Sequence, residues 1–422
     1  MKNFFNFLKI VSLTIFLTIL ITSSSLAATI TIDFWSGFSG DDKDAMEGLV
    51  NKFNSSQNEV FVNWTTYQWD QMNSKIILSS AIGEPPDICA LWNTIMTELV
   101  HKDVLTPLEG FAEKFNIKGE DFIERAWDKG ILNGKRYGIP IDFHQLALYL
   151  NVDHFNKMGI PIPDEITDEA TFLDLAQKLT VDFNNDGTID QWGVGILPTT
   201  QWPIRYWMAL IYQQGGTVVS EDFSKATFNN EYGIKAMQFL VDLIHKYKVS
   251  PSNLADLNQG FLSGNISMIF NGPWMINSAK KQEGLNFKII KFPTIYNEPA
   301  TWGMSHMLVL PKQSDNESQE AAMKFVKFLV DNNLIWGLGG QVPVKISALE
   351  DPEFKNIVEW QPFVASQAFT ITNPLIIQQT KIFAHDPATP LVSAWESVVQ
   401  GKATVEEALA KAEKQVNEIL SE

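Results

Sequence analysis

The sequence contains a single cysteine, Cys89, so no internal disulfide can form and burial and hydrogen bonding must hold the fold. Cys89 lies inside the apolar run 88–91, where a thiol reads as a small buried apolar group, not a redox centre. Basic residues are scarce: 32 Lys and Arg stand against 49 Asp and Glu, for a formal charge of −17. That balance argues against nucleic acid and anionic membrane surfaces as partners. HExxH, GxSxG, a nucleotide-binding glycine loop and zinc-ligand spacing are all missing. A secreted carbohydrate-active enzyme would need two carboxylates flanking a glycosidic bond, and nothing assigns a raised-pKa acid among Asp70, Asp87 and Asp142. Repeats and low-complexity segments are absent, and past the amino terminus no stretch is apolar enough to cross a bilayer.

At the amino terminus, Lys2 and Lys9 flank the start of an uncharged run, 10–21, and Ser25 and Ala27 supply the small residues a signal peptidase requires. Residues 1–27 are therefore expected to be an export signal cleaved near Ala27. No cysteine stands at that point to carry a lipid anchor, so a periplasmic location is expected. Removal of 27 of the 422 residues would leave about 395, more than one core normally serves, and two lobes are predicted. Thirteen tryptophans leave aromatic side chains to spare for a site.

Residues 29–35 alternate as a strand does, and 41–54 place Ala45, Met46, Leu49, Val50 and Phe53 on one helical face. A second strand (60–65), a second helix (69–81) and a third strand (87–91) follow. This order predicts right-handed crossovers in a parallel sheet, with the strand ends along one edge. Each end is followed by aromatic residues: Trp35, then Tyr67 and Trp69, then Trp92. Ligands of open α/β sheets sit beyond such ends, so these rings form a candidate platform, with Ser36, Gln68, Asp70 and Asn93 as polar neighbours. The competing expectation for each tryptophan is the core.

The segment 260–274, GFLSGNISMIFNGPW, reads as a helix end at Gly264, a buried strand through Phe270 and a rigid turn that presents Trp274. This pattern resembles the hallmark of extracellular solute-binding proteins of ABC importers, in the carbohydrate group that includes the maltose-binding protein. The succession TITIDFWSG, GEPPDICALW, VLTPLEGF and NGKRYGIPIDFHQLALYLNVDHFNKMGIPIP is similar to that family in order and spacing. The resemblance implies an α/β, two-lobed periplasmic-binding-protein fold, each lobe a mainly parallel sheet flanked by helices, with the ligand cleft between them. Lobe 1 would comprise 28–142 and 304–332, lobe 2 would comprise 146–300 and 333–422, and hinges would fall near 142–146, 300–304 and 332–334.

By the same resemblance Asp142 and His144 look like polar ligand contacts at the first crossover, although His144 reads equally as a satisfied interdomain hydrogen bond. Trp202, at a tryptophan-rich helix start, and Trp274 would be the stacking residues of the second lobe, while Tyr206 and Trp207 pack inward. Trp302, at the second crossover, and Gln341, in the turn GGQVPVK, complete the set. The implied function is a monomeric receptor that captures a sugar or oligosaccharide and meets the permease subunits of an importer, without catalysis and with no required cofactor. A polyamine or other cation is the alternative ligand, because aromatic boxes with acids also suit cations. The low basic count near the cleft argues against acidic or phosphorylated sugars.

Asp182, Asn184, Asp186, Thr188 and Asp190 alternate around Gly187 like the first half of an EF-hand calcium loop. The twelfth position, where a bidentate Glu belongs, is Gly193. A structural calcium site and a plain polar turn both remain open.

Overall fold

The computed structural model describes residues 29–312, 316–383 and 389–422; the export signal and cleavage near Ala27 that the sequence leads one to expect lie outside the described residues. Strand β1 (Ile30–Ser36) alternates and turns Ile32 and Phe34 into a core. Helix α1 (Gly40–Ser56) carries Asp41 and Asp42 in its first turn, where the helix dipole favours acids, and buries Met46, Leu49, Val50 and Phe53. Strand β2 (Val60–Thr66) lies parallel to β1 in unbroken register, from Ile30 opposite Val60 to Ser36 opposite Thr66. Helix α2 (Trp69–Ala81) leads to β3 (Ile88–Trp92), parallel to β1 on its other side. All three strands therefore end at one edge.

Further along come β4 (Gly138–Pro140), β5 (His144–Gln145), β6 (Ala147–Asn151), β7 (Trp192–Gly195), α3 (Trp202–Tyr212) and α4 (Glu231–His245). They are followed by β8 (Ile266–Asn271), α5 (Ile276–Lys281), β9 (Phe287–Lys291), β10 (Thr301–Met304) and β11 (His306–Val309). The rest contributes α6 (Asn316–Asp331), α7 (Asn333–Leu338), β12 (Thr370–Ile371), α8 (Pro390–Val399) and α9 (Val405–Leu420). Helix α9 opens on the Thr404–Glu407 capping box that the sequence announces.

One sheet has the order β2-β1-β3-β11-β4, a second β9-β6-β8-β7, and a short third β12-β10-β5. The two large sheets are mixed, which corrects the expectation of mainly parallel ones. Strand β11 runs antiparallel to β3 and β4, and β6 runs antiparallel to β8 and β9. The cause is the crossover: β6 and β11 each enter a lobe from the hinge, against strands that run towards it. Both faces of β6 are covered, Leu148 and Leu150 packing with Trp207 and Phe270, and Ala147 and Tyr149 with Phe261 and Trp360. The first lobe has its own core, which includes Phe34, Phe53, Leu308 and Phe325.

The segment after α6, assigned by sequence wholly to the second lobe, shares its side chains between lobes. Trp336 and Val344 join the first core, while Val342 and Phe354 pack with Tyr149 and Phe261. From 334 onward the side chains alternate, Leu334 and Leu338 packing with the cluster of Tyr149 and Phe261 and Trp336 with the first core.

Candidate functional site

The two first crossovers lie side by side, because β5 and β10 pair antiparallel with Gly303 opposite Gln145 and Met304 opposite His144. Below them the fully buried carboxylate of Asp142 collects four donors. His144 Nδ1 (3.1 Å) and the His306 backbone N–H (2.9 Å) give to Oδ1; His306 Nδ1 (2.7 Å) and Trp336 Nε1 (3.0 Å) give to Oδ2. Burial alone would raise the Asp142 pKa, but His306 and His144 outweigh it and hold the carboxyl below the usual carboxylate range. Burial pulls His144 down to about 4 against the attraction of Asp142, so this imidazole is neutral at pH 7. Because an ionised carboxylate only accepts, Nδ1 of His144 carries its proton and Nε2 is left as an acceptor.

Above this floor a cavity of about 300 Å³ separates the lobes. Trp69, Trp92 and His306 line it from the first lobe, together with Asp41 and Asp42 at the start of α1. The second lobe presents Trp202, Arg205, Asn258, Trp274 and Ser278, and His144, Trp302 and Gln341 stand between the lobes. The rings are locked by close approach. Trp69 stacks on Trp92 and on His306 with centroids 4.9 and 5.0 Å apart, and a Cβ on Gly37 would fall 2.1 Å from the Trp69 ring. Trp274 meets His144 edge-on at 5.4 Å and Trp202 at 5.9 Å, and a Cβ on Gly272 would lie 2.1 Å from the Trp274 indole. Glycine is needed at both places so that an indole can lie on the backbone.

Asp42 is held in the same wall by Gln341, whose Nε2 donates to Oδ2 at 2.8 Å. Burial raises its pKa to about 7, with His306 and Gln341 opposing the shift. Asp42 Oδ1 and Gln341 Oε1 are left without a partner.

Of the residues expected from sequence, Trp69, Trp92, His144, Trp202, Trp274, Trp302 and Gln341 line this cavity. Asp142 does not reach it and acts through His144 and His306. Trp35 is turned away: it packs edge-on to Tyr67 at 5.0 Å in a satellite core with Met72 and Cys89. Ser36 is buried and accepts from Trp64 Nε1, Gln68 is exposed at the start of α2, and buried Asn93 accepts from the Ser305 backbone N–H. Trp35 and Ser36 are adjacent on β1 and face opposite sides of the sheet, and packing or a hydrogen bond occupies both sides there, while Gln68 and Asn93 stand just past the ends of β2 and β3. Tyr206 and Trp207 are buried, as anticipated.

Sequence reasoning missed Asp41, Asp42, Arg205, Asn258 and His306. The strand-end rule covers the two acids, which open the helix after β1, and the spacing of three between Trp202 and Arg205 puts both on one helical face. Of the acids an enzyme could have used, Asp142 is enclosed by donors and Asp87 accepts from the Asp33 backbone N–H at 2.7 Å. The Asp70 side chain lies outside those described.

In the loop of Asp182, Asn184, Asp186, Thr188 and Asp190, the oxygens serve the loop itself. Asp182 accepts from the Asp186 and Gly187 N–H groups, Asn184 from Asp186, Asp186 from Thr188, and Asp190 from Phe183. Among the described residues, the only group of three His, Cys, Asp or Glu with ligand atoms within 4.8 Å is Asp142, His144 and His306, in which each imidazole bonds the Asp142 carboxylate.

This geometry can be set against known proteins. Residues 48–360 match the family model of the bacterial extracellular solute-binding proteins. The maltotriose-binding protein of Pyrococcus abyssi is 24% identical over 290 residues, 65% of this chain and 58% of that protein. Two solved structures share the fold: a solute-binding protein of Thermotoga lettingae bound to α-D-tagatose, and a maltose/maltodextrin-binding domain of Bdellovibrio bacteriovorus bound to maltotriose. Their TM-scores are 0.82 and 0.80, at 23% and 19% identity, each over 93% of this chain and 100% of the other. Two lobes, mixed sheets, paired crossovers and an aromatic cleft between them agree with a family match covering well over half the sequence, and the chain belongs to the bacterial extracellular solute-binding proteins.

Proposed function

We propose that this protein is a periplasmic receptor that captures a sugar or short oligosaccharide by hinge closure and delivers it to the permease of an ABC importer. The observation that carries this is the convergence of Trp69 and Trp92 from one lobe with Trp202 and Trp274 from the other on a single cavity. Sugar C–H faces pack on indoles, and sugar hydroxyls need acceptors and amides such as His144, Gln341 and Asn258. A ligand shifts an open form to a closed one only by binding the closed form better, so contacts from both lobes are required. The maltotriose-binding relative and the tagatose-bound structure support a saccharide as the ligand class. A polyamine is disfavoured by Arg205, a cation in the same wall. Binding needs no cofactor; calcium in the loop 182–190 would be structural.

The test is thermal unfolding of the purified mature protein against mono-, di- and oligosaccharides, polyamines and amino acids. A ligand that binds only the native form adds ~2.7 kcal/mol at a hundredfold excess over its dissociation constant. A shift with a saccharide class is expected. A shift with polyamines alone would overturn the proposal.

A further inference from the structure

We infer that the saccharide this cleft takes is acidic, and that Arg205 holds its carboxylate. This rests on the sugar-receptor reading and narrows it. Among the described residues lining the cavity, the Asp, Lys and Arg side chains are Asp41, Asp42 and Arg205, beside the imidazoles of His144 and His306, which both bond Asp142. Asp41 is paired, taking Lys281 Nζ at 2.7 Å and Ser278 Oγ at 2.6 Å. Asp42 accepts from Gln341, and burial keeps its carboxyl partly protonated at neutral pH. Arg205 has no carboxylate partner among the described residues.

Its side chain is 7% exposed, yet no carboxylate or carbonyl among the described residues accepts from its guanidinium. What it has instead is stacking: Cζ lies 4.2 Å from the ring centroid of Trp202 and 4.1 Å from that of Trp302. Two indoles provide cation–π attraction but not an in-plane acceptor for its five N–H groups. Burial depresses the guanidinium pKa to about 9, and among the described residues only Tyr206 opposes the shift. A largely desolvated cation that lines the cavity gains from an anionic acceptor arriving with the ligand in the plane that its two stacked rings leave open. The planar fork matches a carboxylate through two parallel hydrogen bonds. A phosphate would bring close to two negative charges to one guanidinium, so the single charge of a uronic acid fits better. The low basic count near the cleft had argued the other way; a single cation is enough when nothing else neutralises it.

The experiment is titration calorimetry on the mature protein. The ligands are trisaccharides of galacturonic, glucuronic and mannuronic acid, the methyl ester of each, maltotriose, glucose 6-phosphate and spermidine. At least one acidic trisaccharide is expected to bind about tenfold or more tighter than its own ester, and Arg205→Met is expected to bring that ratio close to one. Arg205→Lys, which keeps the charge but not the fork, should retain part of it. Should Arg205→Met fail to fold, the ratio on the unaltered protein decides. Maltotriose or the esters binding as tightly as the acids would overturn the inference and leave the sugar receptor standing, and tighter binding of the phosphate would overturn the carboxylate. Binding of spermidine alone would remove both.

Discussion

Lys281 reaches across the cleft to Asp41, with its Nζ 2.7 Å from Oδ1, while Ser278 holds Oδ2 of the same carboxylate at 2.6 Å. Asp41 opens α1 in the first lobe, whereas Ser278 and Lys281 belong to α5 in the second. The contact therefore exists only when the lobes are together, and it favours the closed form independently of the ligand. The Lys281 side chain is 68% exposed and contributes little by itself; the half-buried Ser278 bond contributes more.

Asp41→Ala is accordingly expected to weaken ligand binding roughly two- to tenfold, mainly through faster dissociation. Small-angle scattering of the ligand-free variant should show a larger radius of gyration. An unchanged radius together with an unchanged off-rate would mean that the bridge does not favour closure.

Trp274→Ala should reduce affinity by about tenfold or more, since the ring supplies stacking area from the second lobe. Gly272→Ala acts on the same ring, because its Cβ would stand 2.1 Å from the indole. Calorimetry on both variants checks this, and wild-type affinity in either would remove Trp274 from the ligand contacts.

Removing the acceptor beneath the floor is a matter of stability. Asp142→Ala strands two imidazole N–H groups, an indole N–H and a backbone N–H, and is expected to cost about 3–5 kcal/mol in urea unfolding. A loss under 1 kcal/mol would show that water satisfies these donors without strain.

The pH profile follows from three buried groups with different signs. His144, near 4 when folded and near 6.5 when unfolded, is protonated more readily by the unfolded chain, so its contribution is lost as pH falls from about 6.5 to 4. Asp142, held low in the fold, loses its contribution at still lower pH. Asp42 works in the opposite sense: raised to about 7, it stays protonated in the fold after the unfolded chain has ionised, so stability drains as pH rises from about 4 through 7. Asp42→Asn should flatten that alkaline limb and stabilise the protein at pH 8, as read by melting temperature against pH. An identical slope in the variant would assign the limb to another group.

If calcium occupies the loop at Asp182–Asp190, added calcium should raise the melting temperature over a chelator-treated sample, by mass action on the folded state. Superimposable melts would leave the loop as the polar turn that its internal hydrogen bonds describe.

The backbone plan could be read from local pattern. The βαβαβ start, the helix faces, the capping box at Thr404 and the delivery of Trp274 after β8 all follow from periodicity and turn residues, which act over a few positions. Trp69, Trp92, Trp202 and Trp274 were found because position at a strand end or a helix start is a local property. Trp35 and Ser36 face opposite sides of β1 and neither lines the cavity, because one side is filled by the Tyr67 and Met72 cluster and the other holds Trp64, which only the packed sheet decides.

What the sequence determined by itself was which elements form, where aromatic residues stand at their ends, and that two cores would be needed. Tertiary structure decided which charges remain uncompensated. Asp41 finds Lys281 some 240 positions away, and Asp142 finds His306 at a separation of 164, whereas Arg205 finds two rings and, among the described residues, no acid. The physical reason is that pairing and desolvation depend on distances of a few ångströms between segments remote in the chain, and no local pattern encodes them.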